Sequence, residues 1–104
     1  MSEKWKPTYD LGAFKAACSS VRKLGPLLAR SARISAAALG FGEPEIVEII
    51  QTMQREHFYK SVTSFANHRL WHDAYHVPSE KGLLYVKFTA DSVTGFALVS
   101  FKEK

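Results

Sequence analysis

The chain has a single cysteine, Cys18, among 104 residues. That excludes an internal disulfide and is too few thiolates for a cysteine-based zinc site. It also lacks an apolar run near eighteen residues, and no cationic, apolar, small-residue leader stands at Met1–Leu11. Neither secretion nor membrane insertion is therefore expected, and a reducing cytoplasm is the default. No GxSxG elbow, P-loop or GxGxxG occurs, and Gly40 and Gly42 read as helix punctuation, so serine-based acyl transfer and nucleotide hydrolysis have no support. There is no basic tail or acidic arm either: each half carries seven basic and five acidic residues, for a net charge of +4. Any anion-binding surface must be assembled by folding. The length fits one domain spanning 1–104, large enough to bury roughly two-thirds of its unfolded surface without staples.

What is present is first helical. Leu11, Phe14, Cys18 and Val21 recur at helical spacing, with Asp10 as N-cap and Gly25-Pro26 as a left-handed stop. Cys18 lies on that apolar stripe and reads as a small buried hydrophobe. A short second helix runs from Ser31 as cap through Ala36-Ala37-Ala38-Leu39 to Gly40. A third starts at Pro44, with Glu45 and Glu48 near its positive end and Ile46, Ile49, Ile50 and Met53 at core spacing. The spacing predicts that it continues or restarts through His57-Phe58-Tyr59-Lys60, turning Phe58, Val62 and Phe65 inward.

From about Asn67 the period changes to alternation. Arg69–His76, Leu83–Ala90 and Phe96–Lys104 read as strands, separated by loops at 77–82 and 91–95. Helices first and strands last favour an α+β fold, with N-terminal helices packed on a C-terminal, largely antiparallel sheet. In the final hairpin Leu84, Val86, Phe88 and Ala90 share one face, as do Ala97, Val99 and Phe101. Turning both sets to the core requires paired positions that sum to an odd number, with Asp91 opposite Phe96 and a four-residue loop. Tyr85 then stands opposite Lys102, and Lys87 opposite Ser100, on the outer face. A phenol and an ammonium about 5 Å apart at Cβ suit a phosphate. The same pattern also describes an ordinary solvated face.

His68, His72 and His76 are spaced by four. On a helix they would share a face and invite a metal, but on a strand neighbours lie about 13 Å apart, beyond joint ligation of one ion. No metal or other cofactor is therefore expected. His72, mid-strand, has the titration range of a general acid or base.

The run Phe58-Tyr59-Lys60-Ser61, then Trp71, Tyr75, Gly82, Tyr85, Lys87 and the terminal Val99-Ser100-Phe101-Lys102-Glu103-Lys104, closely resembles the motility quorum-sensing regulator (MqsR) family of toxins. The likeness is strong from Phe58 to Lys104 and pattern-deep before that. It implies the RelE-like ribonuclease fold and a metal-independent, ribosome-independent endoribonuclease that cuts single-stranded mRNA. It also implies restraint by a cognate antitoxin carrying a zinc-binding domain and a helix-turn-helix DNA-binding domain, so that any zinc belongs to the partner. The family's catalytic positions map onto Lys60, Tyr85 and Lys102. The fourth is ordinarily glutamine, where this chain has His72, either positioning like a glutamine or moving a proton. Lysines are expected to stabilise phosphate charge, and Tyr85 to hold a phosphate oxygen or to donate a proton if lysines lower its pKa. Lys87 is a candidate contact to the RNA backbone, and Tyr59, Tyr75 and Trp71 are candidates for base stacking or for core and sheet packing. The rival readings are a noncatalytic RNA-binding or protein-interaction module, and a metal nuclease built on the three histidines.

Overall fold

A computed structural model describes residues 2–104. Four helices come first: α1 (Leu11–Ala17), α2 (Val21–Leu24), α3 (Arg30–Ala38) and α4 (Glu43–Thr52). They are followed by β2 (Phe58–Thr63), β3 (Trp71–Ser79), β4 (Gly82–Asp91) and β5 (Gly95–Glu103), while a two-residue β1 (Glu3–Lys4) precedes α1. All five strands join one antiparallel sheet in the order β1-β2-β3-β4-β5. The architecture is the expected α+β arrangement of N-terminal helices and a C-terminal sheet.

Alternation along the strands divides the sheet into two faces. Tyr75, Val77, Leu84, Val86, Phe88 and Phe101 point to the helices and are fully buried. They meet Phe14 of α1, Ala32 and Ala36 of α3, and Ile46 and Ile50 of α4 in one core. Phe14 lies flat on Phe88, ring centroids 3.7 Å apart. Cys18 is buried there as well, and burial pushes its thiol up to about 11, which fits an inert small hydrophobe.

Local chemistry redraws several expected boundaries. Asp10 does cap α1, accepting from Ala13 N–H, but the first helix breaks at Cys18–Ser20 and restarts at α2, capped by Ser20 Oγ. Gly25 is right-handed and continues into a 3₁₀ turn through Pro26 instead of forming a left-handed stop. α3 begins at Arg30, so Ser31 lies inside it and is not its cap. Gly40 does end that region with φ +89°, a conformation that favours glycine.

The larger correction concerns residues 57–65. They form no helix: His57 ends a 3₁₀ turn and Phe58 opens strand β2. Phe58, Val62 and Phe65 have helical spacing, yet Phe65 is 84% exposed beyond the strand. Aromatic and β-branched residues favour the strand, but its core-facing positions hold Ser61 and Thr63, so the usual apolar alternation is inverted. β3 also runs on through Val77-Pro78-Ser79, which the sequence reads as loop. Pro78 is tolerated because β2 pairs with β3 only as far as Tyr75, leaving Pro78 on an open edge with no ladder bond to lose.

Thr63 Oγ1 accepts from Ser2 N–H at 2.8 Å, and Ser61 is satisfied by Asp73. Its buried carboxylate accepts from Thr8 N–H at 2.9 Å, Tyr9 N–H at 2.9 Å and Ser61 Oγ–H at 2.6 Å. Tyr9 Oη in turn donates to the Trp71 carbonyl at 2.8 Å. This one side chain ties the segment before α1 to the middle of the sheet. Asp73→Ala strands two backbone N–H groups and a hydroxyl, and is expected to lower unfolding free energy by about 2–3 kcal/mol, read from the urea midpoint at unchanged slope.

Candidate functional site

The face turned away from the helices carries the polar residues of β2 to β5. Register sets them in cross-strand rows. Lys60, Ala74, Lys87 and Ser100 form one row. His76, Tyr85 and Lys102 form the next, and Val62, His72 and Thr89 lie on the other side of the lysine row. Tyr85 opposite Lys102 and Lys87 opposite Ser100 match the register expected from alternation. Beyond that point the pairing departs from expectation: a bulge after Lys87 pairs Phe88 with Leu98 and Asp91 with Gly95. The bulge turns Leu98 into the core in place of Val99 and leaves a three-residue connection. Asp91 Oδ1 closes it by accepting from Val93 N–H at 2.7 Å. The irregularity falls beyond the Tyr85–Lys102 pair, so that part of the site is untouched by it.

Ala74 is the floor of the lysine row. Lys60 and Lys87 stand on the strands to either side, with backbones about 10 Å apart, so their long side chains can converge over a small methyl group. A bulge between Phe58 and Lys60 separates the inward Phe58 from Lys60 by an odd register, and gives Lys60 its place in this row. The Lys60 ammonium donates to Glu3 of β1 at 2.6 Å, which raises its pKa and keeps it charged. Lys102 Nζ lies 5.6 Å from the centroid of the Tyr85 ring.

Electrostatics distinguish these groups. Burial raises the Tyr85 pKa and the nearby Lys60 charge offsets this only in part, so Tyr85 remains a neutral phenol. The expectation that lysines make it a ready proton donor is thereby corrected: desolvation of the phenolate outweighs the attraction of the ammonium. Lys87 is shifted down, first by burial and then by Lys102. His72 is also shifted down, by burial and by repulsion from Lys87, against a weaker opposing effect of Asp73. Its Nε2 is buried with no hydrogen-bond partner. A neutral imidazole therefore adjoins a row of ammonium groups.

The sheet thus brings Lys60, His72, Tyr85, Lys87 and Lys102 onto one face. Tyr59 borders them, stacked on His76 with centroids 4.3 Å apart and with Lys60 Nζ 5.2 Å from its ring. Tyr75 does not join them. It is fully buried on the opposite face, edge-on to Phe58 and stacked on Phe88, and burial pushes its phenol up to about 12. Its ring has no free face for a base, since odd-numbered positions of β3 point to the helices. Trp71 lies under the Lys4 ammonium at 4.3 Å. Among the described residues, no group of three His, Cys, Asp or Glu side chains is placed to share a metal ion. Glu3 escaped the sequence reading, since its partner is fixed only by β1 pairing, and His76, read there only as one of three spaced histidines, stands beside Tyr85.

The arrangement suits a phosphodiester: fixed cations, a phenol donor and a proton acceptor on one surface. A cavity of about 390 Å³ lies elsewhere, between α4 and the end of β3, and is lined by Glu45, Glu48 and Glu80. Three carboxylates there repel a polyanion. Residues 6–103 match the family described as motility quorum-sensing regulator, toxin of MqsA. The mRNA interferase toxin MqsR of Escherichia coli (strain K12) is 35% identical over 75 residues, covering 72% of this chain and 74% of that protein. Match length and identity together make this chain a member of the motility quorum-sensing regulator toxin family.

Proposed function

We propose that the chain is an mRNA interferase toxin, a ribosome-independent and metal-independent endoribonuclease whose residues 1–104 act as one toxin domain. The observation that carries this reading is the pairing of Tyr85 with Lys102 beside Lys60 and a neutral His72 on one exposed sheet face. RNA is cut when a 2′-hydroxyl attacks the adjacent phosphorus, forming a 2′,3′-cyclic phosphate and expelling the 5′-oxygen. The neutral His72 imidazole takes the 2′-hydroxyl proton. Lys60, Lys87 and Lys102 stabilise the charge that grows on the phosphoryl oxygens, and the Tyr85 phenol donates a hydrogen bond to one of them. The ammonium groups also supply the proton that the departing 5′-oxygen requires. Single-stranded RNA is the substrate, because in an A-form duplex the 2′-hydroxyl is held away from in-line geometry and the bases are hard to read.

The protein acts in the cytoplasm, where mRNA is, and is held in check by a cognate antitoxin. Family membership supports the partner, and zinc, where present, belongs to it. Among the described residues no helix is long and apolar enough to cross a membrane.

Incubating the purified protein with a long transcript in EDTA tests the reading. Discrete fragments with cyclic-phosphate and 5′-hydroxyl ends are expected. Binding without cleavage identifies a noncatalytic module, and cleavage abolished by EDTA identifies a metal nuclease; either result overturns the proposal. Expression is further expected to arrest growth, with relief by the co-expressed antitoxin.

A further inference from the structure

An unbroken chain of ring contacts leads away from the phosphate platform. Tyr85 neighbours His76 at 5.9 Å, His76 stacks on Tyr59 at 4.3 Å, and Tyr59 meets Trp5 edge-on at 6.4 Å. Exposure rises along the way: Tyr59 is 40% exposed and Trp5 69% exposed. Trp5 directly follows β1, so pairing of Glu3 and Lys4 with β2 holds it at this edge of the sheet. A large indole left in water beside an ordered sheet edge has no packing role that explains its position.

We propose that Trp5, with the Tyr59–His76 stack, forms a subsite that takes an unpaired nucleobase of the same RNA strand whose phosphate lies at Tyr85 and Lys102. This inference rests on the ribonuclease reading and extends it. Two features favour a nucleic acid over a protein on this surface. The rings alternate with cations: Lys60 lies over Tyr59 and Lys102 over Tyr85. Protein interfaces are depleted in lysine, whereas single-strand platforms combine aromatic faces for bases with cations for phosphates. The ladder also continues directly from the proposed phosphate site, so a strand held there must pass along it or leave the sheet. An edge-on contact with Tyr59 leaves much of the Trp5 indole unstacked and free to receive a base.

The probe is a single-stranded 2′-O-methyl oligonucleotide, which lacks the attacking hydroxyl and stays intact. In the Trp71→Phe protein, Trp5 is the remaining tryptophan, and its emission is expected to quench saturably on titration. Trp5→Ala is expected to weaken affinity for the probe about tenfold, while Trp5→Phe retains most of it, as base stacking requires. For a cleavable RNA the same loss is expected in KM, with kcat nearly unchanged. Unchanged affinity in Trp5→Ala, with cleavage by the parent intact, overturns the subsite and leaves the ribonuclease reading standing. Unchanged RNA affinity together with weakened antitoxin binding assigns the surface to the protein partner and likewise overturns it. Failure of the parent to cut any RNA in EDTA is the separate result that removes the reading beneath it.

Discussion

Lys102→Ala is expected to lower the single-turnover rate of RNA cleavage by about 10²- to 10³-fold, the effect of removing one fixed group that stabilises transition-state charge. The ammonium stands over the Tyr85 ring on the last strand, directly across from the phenol, and makes no ion pair. It belongs to the exposed end of β5, so its loss leaves no cavity and no stranded partner. Unfolding free energy is therefore expected to change by less than about 0.5 kcal/mol. Tyr85→Phe tests the other half of the pair. It removes only the hydroxyl and keeps the ring against His76, so a comparable rate loss with an unchanged melting curve assigns the effect to the phenol. If both groups act on one phosphate, as proposed, the double variant is expected to lose less than the product of the two single losses. Parent-like cleavage by either single variant removes that residue from the site.

That pair was legible because strand alternation has a period of two: once Leu84, Val86 and Phe101 face the core, Tyr85 and Lys102 must face away together. The same logic fails three residues beyond Tyr85. A bulge shifts pairing by one residue, and no local signal in Phe96-Ala97-Leu98-Val99, where every residue is apolar, tells which two turn inward. Lys60 is a candidate through family resemblance alone, and its segment reads as helix because β2 places Ser61 and Thr63 inward and keeps helical spacing among its apolar residues. What makes the inward Ser61 tolerable is Asp73, twelve residues beyond it, while Thr63 accepts from Ser2 N–H, and no periodicity encodes either contact. Tyr75 illustrates the converse: an aromatic of the right type in a family motif is still assigned to core or surface by strand parity, and parity puts it against Phe88. Long-range pairings, such as that of Glu3 with Lys60, depend on how the N-terminal segment returns to the sheet, and a chain read window by window does not contain that information.

His72 gives the second large effect, and its sign follows from the environment of the ring. Burial and the Lys87 charge both disfavour the imidazolium, so the His72 pKa lies below the ordinary 6.5. A base must be neutral to act. The cleavage rate is therefore expected to be fully developed at neutral pH and to fall only as pH drops below 6.5, through the depressed pKa of this residue. Lys87→Met removes the repelling charge and is expected to move that acidic limb to higher pH, toward the ordinary value, whatever it does to the maximal rate. His72→Gln supplies the residue that the family resemblance leads one to expect here, with similar hydrogen-bonding reach and no titration in this range. If His72 carries the proton, the substitution lowers the neutral-pH rate by about 10²- to 10⁴-fold and abolishes the acidic limb. If the side chain only positions the substrate, glutamine keeps the rate within a few-fold and Lys87→Met leaves the pH profile where it was, which would overturn the proton-transfer role. The two readings thus separate on a rate and a profile measured with the same three proteins. What favours proton transfer over positioning is the charge state: burial and repulsion from Lys87 both hold the imidazole in the neutral form that a base requires.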